Sequence, residues 1–437
     1  MSDLSKKSWL ERIGIKPSKA MKTSELRKLF TDLEAVIEPS ISQTEAGLRA
    51  AKVIDWYATA PANHRLQLCL LMSEKFAPDM ARLRPAKEHY EQSIDTPEQG
   101  MAEIKLRRAL YSPRRRLLQS FSAHPSGIRF LIDLRVELLA WLRDDTRLAT
   151  LDAELEGLFS FWFDVAFLEL KRISWDSPAS LLEKLIKYEA VHDIKSWDDL
   201  KNRLDADRRC YGFFHPRLPD EPLIFVEVAF ANKFDDHVAM GMEALLDVAA
   251  APTDLSKVST AIFYSISNTQ AGLKGVSFGD SLIKLVVETL KTEFSQLKTF
   301  TTLSPIPGLA RWIKQTDEAL DKALQATTIK TLTEKSDLRR RLQTAASQYL
   351  ARGLTDKLPE QKDNTGRRPL DPVARFHLSN GARIERINWA GDLSPKGLQQ
   401  SFGLMVNYLY DLKSLAKNRE LLAKGRITAS KDVTRWL

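Results

Sequence analysis

Three groups of residues have the types and spacing to do chemistry. The first is Gln270-Ala-Gly272-Leu-Lys274-Gly275-Val276-Ser277-Phe278-Gly279-Asp280. Its glycines let the backbone approach a ligand closely. The run leads into a helical pattern, so unpaired N–H groups and the positive end of a helix dipole face it. That makes an anion site suited to a pyrophosphate. It lacks the Gly-Lys-Ser/Thr of a Walker loop and the GxGxxG of a dinucleotide loop. One alternative is a plain glycine-rich turn in which Asp280 caps the helix. Another is the GxSxG nucleophile elbow, which Gly275 to Gly279 match, although that elbow needs Ser277 directly off a strand.

The second group is Ser304-Pro305-Ile306-Pro307-Gly308. Proline after Ser304 biases it to an extended backbone. Its hydroxyl therefore sits at the carboxyl end of a strand, where α/β domains keep their ligands. The alternative is a serine that caps the next helix. The third is His377, in Arg375-Phe-His377-Leu-Ser-Asn380-Gly381. None of the seven histidines falls in HExxH or another metal-ligand spacing, so no metal site is expected. A lone histidine is more often structural.

Two domains are expected to position these groups. Residues 1–170 read as an all-helical packing or oligomerisation domain. Leu131, Leu134, Leu138 and Leu142 recur at helical spacing, as do Leu151, Leu155, Leu158 and Trp162. One apolar stripe per helix is the pattern of a bundle. Breakers fall at Ser112-Pro113 and at His124-Pro125-Ser126-Gly127.

Residues 171–437 have a mixed texture. Ser177-Pro178 opens a short helix over Leu181 to Tyr188. Leu223 to Phe230 is nearly continuous apolar sequence, as in a strand buried on both faces. Thr260 to Ser267 and Leu297 to Leu303 read as further strands, with a helix over Asp280 to Glu293 between them. Parallel neighbours joined that way form a right-handed crossover unit. Ala319 to Ala351 reads as mostly helical, Pro359 to Pro372 as a polar loop and Arg383 to Trp389 as a strand. Lys396 to Leu412 reads as a helix burying Leu398, Phe402, Met405, Leu409 and Leu412.

Composition narrows the partners. The net charge is +8 and the pI about 9.2. The basic clusters, Arg114 to Arg116, Arg339 to Arg341 and Arg367-Arg368, are short. No aromatic-interleaved or zinc-finger pattern accompanies them, so no nucleic-acid partner is expected. The charge suits a phosphate-rich ligand without identifying one. Apolar runs fall far short of the ~20 residues of a membrane span, so no membrane partner is expected. Two cysteines, Cys69 and Cys210, make no disulfide framework, which fits a reduced, cytoplasmic setting. The start lacks an apolar secretory region and carries Asp3 and Glu11, unlike a transit peptide. The end, Thr434-Arg435-Trp436-Leu437, is not a peroxisomal address.

Several ordered motifs together resemble the malonyl-CoA decarboxylase family. They are Tyr188-Glu-Ala-Val-His192, Arg209-Cys-Tyr211, Glu221-Pro-Leu223, and Ile262-Phe-Tyr-Ser-Ile-Ser267 with Gln270 and Gly272-Leu-Lys-Gly-Val276. Further on come Leu303-Ser-Pro-Ile-Pro-Gly308, Asn380-Gly-Ala382, Arg386-Ile-Asn-Trp389, and Gly403-Leu-Met405 with Asn407-Tyr408. The resemblance implies an α+β chain: a helical bundle, then an acetyltransferase-like (GNAT-like) catalytic domain. It implies that Lys274, Gly275, Val276, Ser277, Phe278, Gly279 and Asp280 hold the CoA pyrophosphate. Ser304 and His377 are the implied catalytic pair, with Ser265 and Tyr410 at supporting positions. Ser277 and Asp280 depart from the family's pattern. An acidic residue is usual in animal members at the first position, and a neutral one at the second. Malonyl-CoA and acetyl-CoA are the implied ligands and a homo-oligomer, dimer or tetramer, the implied assembly.

Decarboxylation leaves electrons on the α-carbon that the thioester delocalises, so no metal or organic cofactor is expected. Donors aimed at that oxyanion and a positioned acid are what the protein must supply. His377 is expected to protonate the α-carbon while Ser304 orients the departing carboxylate and relays the proton. Activity is expected to fall at alkaline pH as His377 loses its charge. The alternatives are an acyl-CoA-dependent acetyltransferase on the same fold and a non-catalytic CoA-metabolite-binding protein.

Overall fold

The computed structural model describes residues 21, 23–232, 241–276, 282–328, 336–355 and 367–437. These divide into two compact units. One runs to Phe167 and includes the segment from Gln270 to Val276. The other holds Leu168 to Thr269 and the described residues from Leu282 to the end.

The first unit is helical, with eight α-helices from Thr23–Val36 to Ala149–Trp162 among the described residues. Leu131, Leu134 and Leu138 lie on the buried side of Gly127–Trp141, and Leu151, Leu155 and Leu158 on that of Ala149–Trp162. Ser112 caps Pro113–Ser122 by accepting the Arg115 amide at 3.3 Å, with proline in the first turn. The Gln270 segment packs within this unit. A Cβ on Gly272 would lie 2.1 Å from the Ile132 carbonyl oxygen, so only glycine fits there. The buried Arg135 donates to the carbonyls of Gly272 and Lys274, both at 3.0 Å, and pairs with Asp152 at 2.8 Å.

The second unit is built on one mixed sheet of eight strands: β1 Glu169–Ile173, β2 Arg208–His215, β3 Leu218–Ala231, β4 Thr260–Asn268, β5 Thr299–Thr302, β6 Ser304–Pro305, β7 Arg383–Asn388 and β8 Met405–Leu409. β1 to β4 pair antiparallel in sequence order. β4 and β5 are parallel, joined across the helix Leu282–Glu293, as the crossover expectation requires. The pairing of β4 with β5 ends at Phe263–Thr302. The chain then turns so that Ser304 and Pro305 pair with β8. β4 and the strand carrying Ser304 therefore splay apart. β8 is also paired along β7.

An α+β chain with a helical unit and an acetyltransferase-like sheet unit is the expected class. Two strands went unread. β1 is mostly exposed and short, and β2 joins β3 in a hairpin whose apolar signal was visible only in its second half. The helix expected over Lys396 to Leu412 is corrected. It covers only Pro395–Ser401, and Met405–Leu409 is a strand. Phe402 and Gly403 have φ of +54° and +81°, which ends the helix. Met405 to Tyr408 are buried on both faces because β8 lies inside the sheet, so the three- and four-residue spacing there carries no helical meaning. The region from Ala319 to Ala351 holds two helices, Glu318–Gln325 and Ser336–Arg352.

Candidate active site

Ser304 and His377 come together from distant stretches of chain. Ser304 follows β5 and is 6% exposed; His377 lies in the last turn of Pro372–Ser379 and is 3% exposed. Ser304 Oγ and His377 Nε2 are 3.2 Å apart, and His377 Nδ1 and the Tyr410 hydroxyl 2.8 Å. The Tyr408 ring stacks on the imidazole, with centroids 4.6 Å apart.

Asp371 holds the two halves together. One carboxylate oxygen caps the His377 helix, accepting the Val373 and Ala374 amides at 2.9 Å. The other accepts the Gly308 amide of the Ser304 turn at 3.4 Å and the Tyr349 hydroxyl at 3.3 Å. On the far side of Ser304, Thr302 Oγ1 accepts the Ser304 hydroxyl at 2.8 Å and the Tyr408 amide at 3.1 Å. Asn407 donates to the Thr302 carbonyl at 2.5 Å, and Asn388 donates to Asn407 Oδ1 at 2.7 Å.

These bonds decide the tautomer. Because Ser304 gives its hydrogen to Thr302, its lone pairs face His377, and Nε2 carries the shared hydrogen. Nδ1 then accepts from Tyr410. Burial pushes the His377 pKa down to about 3. The imidazole is neutral at neutral pH, which removes the ground for an alkaline loss of activity through His377. Burial also holds the Tyr408 and Tyr410 phenols far above their ordinary range.

Ser265 sits elsewhere. On β4, past the last β5 pair, its hydroxyl donates to the Glu189 carboxylate at 2.8 and 2.9 Å, and Ser267 does so at 3.2 Å. The same carboxylate accepts the Val191 and His192 amides at 2.7 and 2.8 Å. Beside it Arg203 pairs with Asp199 at 2.9 Å and Glu227 at 3.1 Å. Burial first, and the Glu189 charge second, push the Glu227 carboxyl up to about 8.

Of the expected pyrophosphate loop, Lys274 and Gly275 are exposed and Val276 is buried; Ser277, Phe278, Gly279 and Asp280 lie outside the described residues. Lys274 and Gly275 belong to the helical unit, and Ser304 and His377 to the sheet unit. Sequence reasoning missed Thr302, Asp371, Asn407 and Asn388 as positioning groups. Thr302 looked like one more strand residue, and Asn407 fell in the misread helix. Asp371-Pro372 is a legible capping signal that could have been found.

A hydroxyl, an imidazole and a phenol converge at the carboxyl end of the strand beside a splayed parallel pair, in the mixed-sheet unit. Family models match the chain. The malonyl-CoA decarboxylase C-terminal domain matches residues 166–437, and its N-terminal domain residues 76–163. The chain is 34% identical over 417 residues to the mitochondrial malonyl-CoA decarboxylase of Anser anser anser, covering 88% of this chain and 82% of the relative. It is 35% identical to that of Mus musculus, covering 76% and 72%. Among solved structures, the malonyl-CoA decarboxylase of Rhodopseudomonas palustris shares 39% identity at a TM-score of 0.82, covering 94% of this chain and 99% of that one. That of Cupriavidus metallidurans shares 40% at 0.75, covering 95% and 100%. The chain belongs to the malonyl-CoA decarboxylase family, and is an enzyme of the carboxy-lyase class.

Proposed function

We propose that the chain converts malonyl-CoA to acetyl-CoA and CO2 at the Ser304–His377 pair. The observation that carries this is the hydrogen-bonded series Thr302–Ser304–His377–Tyr410, buried where β4 and β5 part. Among the described residues no strand pairs with β4 beyond Phe263 on that side, so its edge has room for an extended thioester arm.

In this mechanism the bond from the α-carbon to the carboxylate breaks, and its electron pair passes into the thioester as an enolate. No metal or organic cofactor is needed, since the thioester is the electron sink. Ser304 orients the carboxylate. The enolate carbon takes the Nε2 hydrogen of the neutral His377 as Tyr410 delivers its own to Nδ1. Solvent restores the phenol. An enolate carbon is basic enough to take a proton from a neutral imidazole that is refilled in this way. Lys274, Gly275 and Val276, with Ser277 to Asp280, are assigned to the CoA pyrophosphate, and the Ser265–Glu189 pair to lining the open edge of β4. We assign residues 1–170 to packing and oligomerisation and residues 171–437 to catalysis.

No helix of the described residues is long and apolar enough to cross a membrane. A cytoplasmic location and a homo-oligomer are part of this proposal, and cell fractionation and light scattering test them. The activity is tested with purified protein, malonyl-CoA, no added metal and no acceptor, followed by chromatography of the acyl-CoA products. Acetyl-CoA with matching CO2 is the expected result. Release of free CoA thiol would indicate acyl transfer instead, and unchanged malonyl-CoA would reject both.

A further inference from the structure

We infer that a second ligand site lies at the β7 edge of the sheet unit, and that it takes an adenine nucleotide. A cavity of about 530 Å³ opens there, lined from β7, the helix Ser336–Arg352 and the C-terminal segment. That volume lies within the range of small-molecule and cofactor sites. Ser304, His377, Tyr410 and Lys274 are not among its lining residues.

Two features fix the ligand class. The first is charge. Arg339 and Arg435 line the cavity, and among its described lining residues the one carboxylate is Asp432. Arg435 and Asp432 stand 3.5 Å apart with both side chains more than half exposed, so their pairing is weak and leaves the guanidinium open to an anion. Guanidinium groups match phosphate oxygens in a two-pronged geometry that lysine does not offer. The second is the indole wall of Trp389 and Trp436. The Arg339 guanidinium lies 4.6 Å from the Trp389 ring centre, and Arg435 lies 5.4 Å from that of Trp436. Ring surface and phosphate-binding charge are thus adjacent, as a base with its phosphates requires.

Phosphate alone would leave both indoles unused, whereas an adenine nucleotide presents a ring face and phosphates together.

An adenine nucleotide can come from two sources, a free nucleotide or the adenosine bisphosphate end of a CoA molecule. ADP titrated into the full chain by calorimetry is expected to bind. In the double variant Arg339→Gln/Arg435→Gln, binding should weaken by about tenfold or more, the scale of losing two charge-assisted contacts. Arg435→Gln alone, at a position 63% exposed, guards against misfolding and should weaken binding by a smaller factor. The control Lys298→Gln should leave it unchanged. ADP that stays bound while CoA saturates its own site identifies a free nucleotide as the ligand. Displacement of ADP by CoA, with a CoA-binding event lost in the double variant, identifies the CoA handle. No binding at millimolar ADP, or binding undiminished in the double variant, overturns the site.

Discussion

Around Arg203 the buried polar groups of the sheet unit are ionisable: a guanidinium between the Asp199 carboxylate and the Glu227 carboxyl, which burial keeps protonated below about pH 8, with the Glu189 carboxylate beside them. Around Ser304 the groups are neutral: two hydroxyls, an imidazole, two phenols and an amide. The charged cluster answers its own burial, each carboxylate finding a guanidinium, a backbone amide or a serine hydroxyl. The neutral cluster's one carboxylate, Asp371, is spent on backbone amides and the Tyr349 hydroxyl, and among the described residues no cationic side chain hydrogen-bonds to Ser304 or His377. The loss of a substrate carboxylate there as neutral CO2 moves the charge to the enolate. The first arrangement suits a scaffold, and the second suits a site that must let a charge leave.

The comparison breaks most visibly if the neutral cluster is dispensable. Ser304→Ala and His377→Asn are each expected to lower kcat by about 10²–10⁴-fold, the usual worth of a positioned proton-transfer group. KM should change little, and near-normal turnover in both variants would reject the assignment. Arg203→Met tests the other side. It strands buried carboxylates and should cost about 3–5 kcal/mol of stability, read as a lower urea midpoint. An unchanged midpoint would mean the charges are not bearing on the fold.

The pH dependence of stability separates the clusters further. Glu227 has a folded pKa of about 8 against 4.5 for the free side chain. Its raised value means that the folded state holds the proton more tightly. Its contribution is full below about 4.5 and is lost as pH rises through 8. His192 and His377, lowered by burial to about 4 and about 3 from 6.5, act the other way, losing stability as pH falls below 6.5. Above pH 6.5 the histidine contributions are flat, and Glu227 should remove about 2 kcal/mol by pH 8, at 1.36 kcal/mol per pKa unit. Urea midpoints should decline over that interval in the wild type and stay level in Glu227→Gln. The smallest effect is expected from Tyr410→Phe. It removes one hydrogen bond to Nδ1, worth about 1 kcal/mol, and, with solvent then supplying the proton to Nδ1 directly, should lower kcat about fivefold. If kcat does not move, Tyr410 does not supply the proton.

Much of this architecture is visible in the sequence. Helical stripes such as Leu131-Leu134-Leu138 and the apolar run Leu223 to Phe230 announce their elements, because periodicity records which face is buried. Caps such as Ser112-Pro113 mark helix starts because their side chains satisfy amides a few residues on. The motifs around Ser304 and His377 name the pair. Pairing is less legible. Met405 to Leu409 is a strand only because β5, β6 and β7 flank it, and the helical spacing of its apolar residues misled where Gly403 should have warned.

What the sequence alone determined is which residues are apolar, where helices start and stop, and which motifs the chain carries. These are local properties, written within a few residues. Tertiary structure alone decided that Ser304 meets His377 across 73 positions, that Asp371 ties their two supports, and that Ser265 joins Glu189. It also decided the protonation of His377. A side chain's type sets its ordinary pKa, but burial and hydrogen-bond partners set the one it has, and both come from residues far away in the chain.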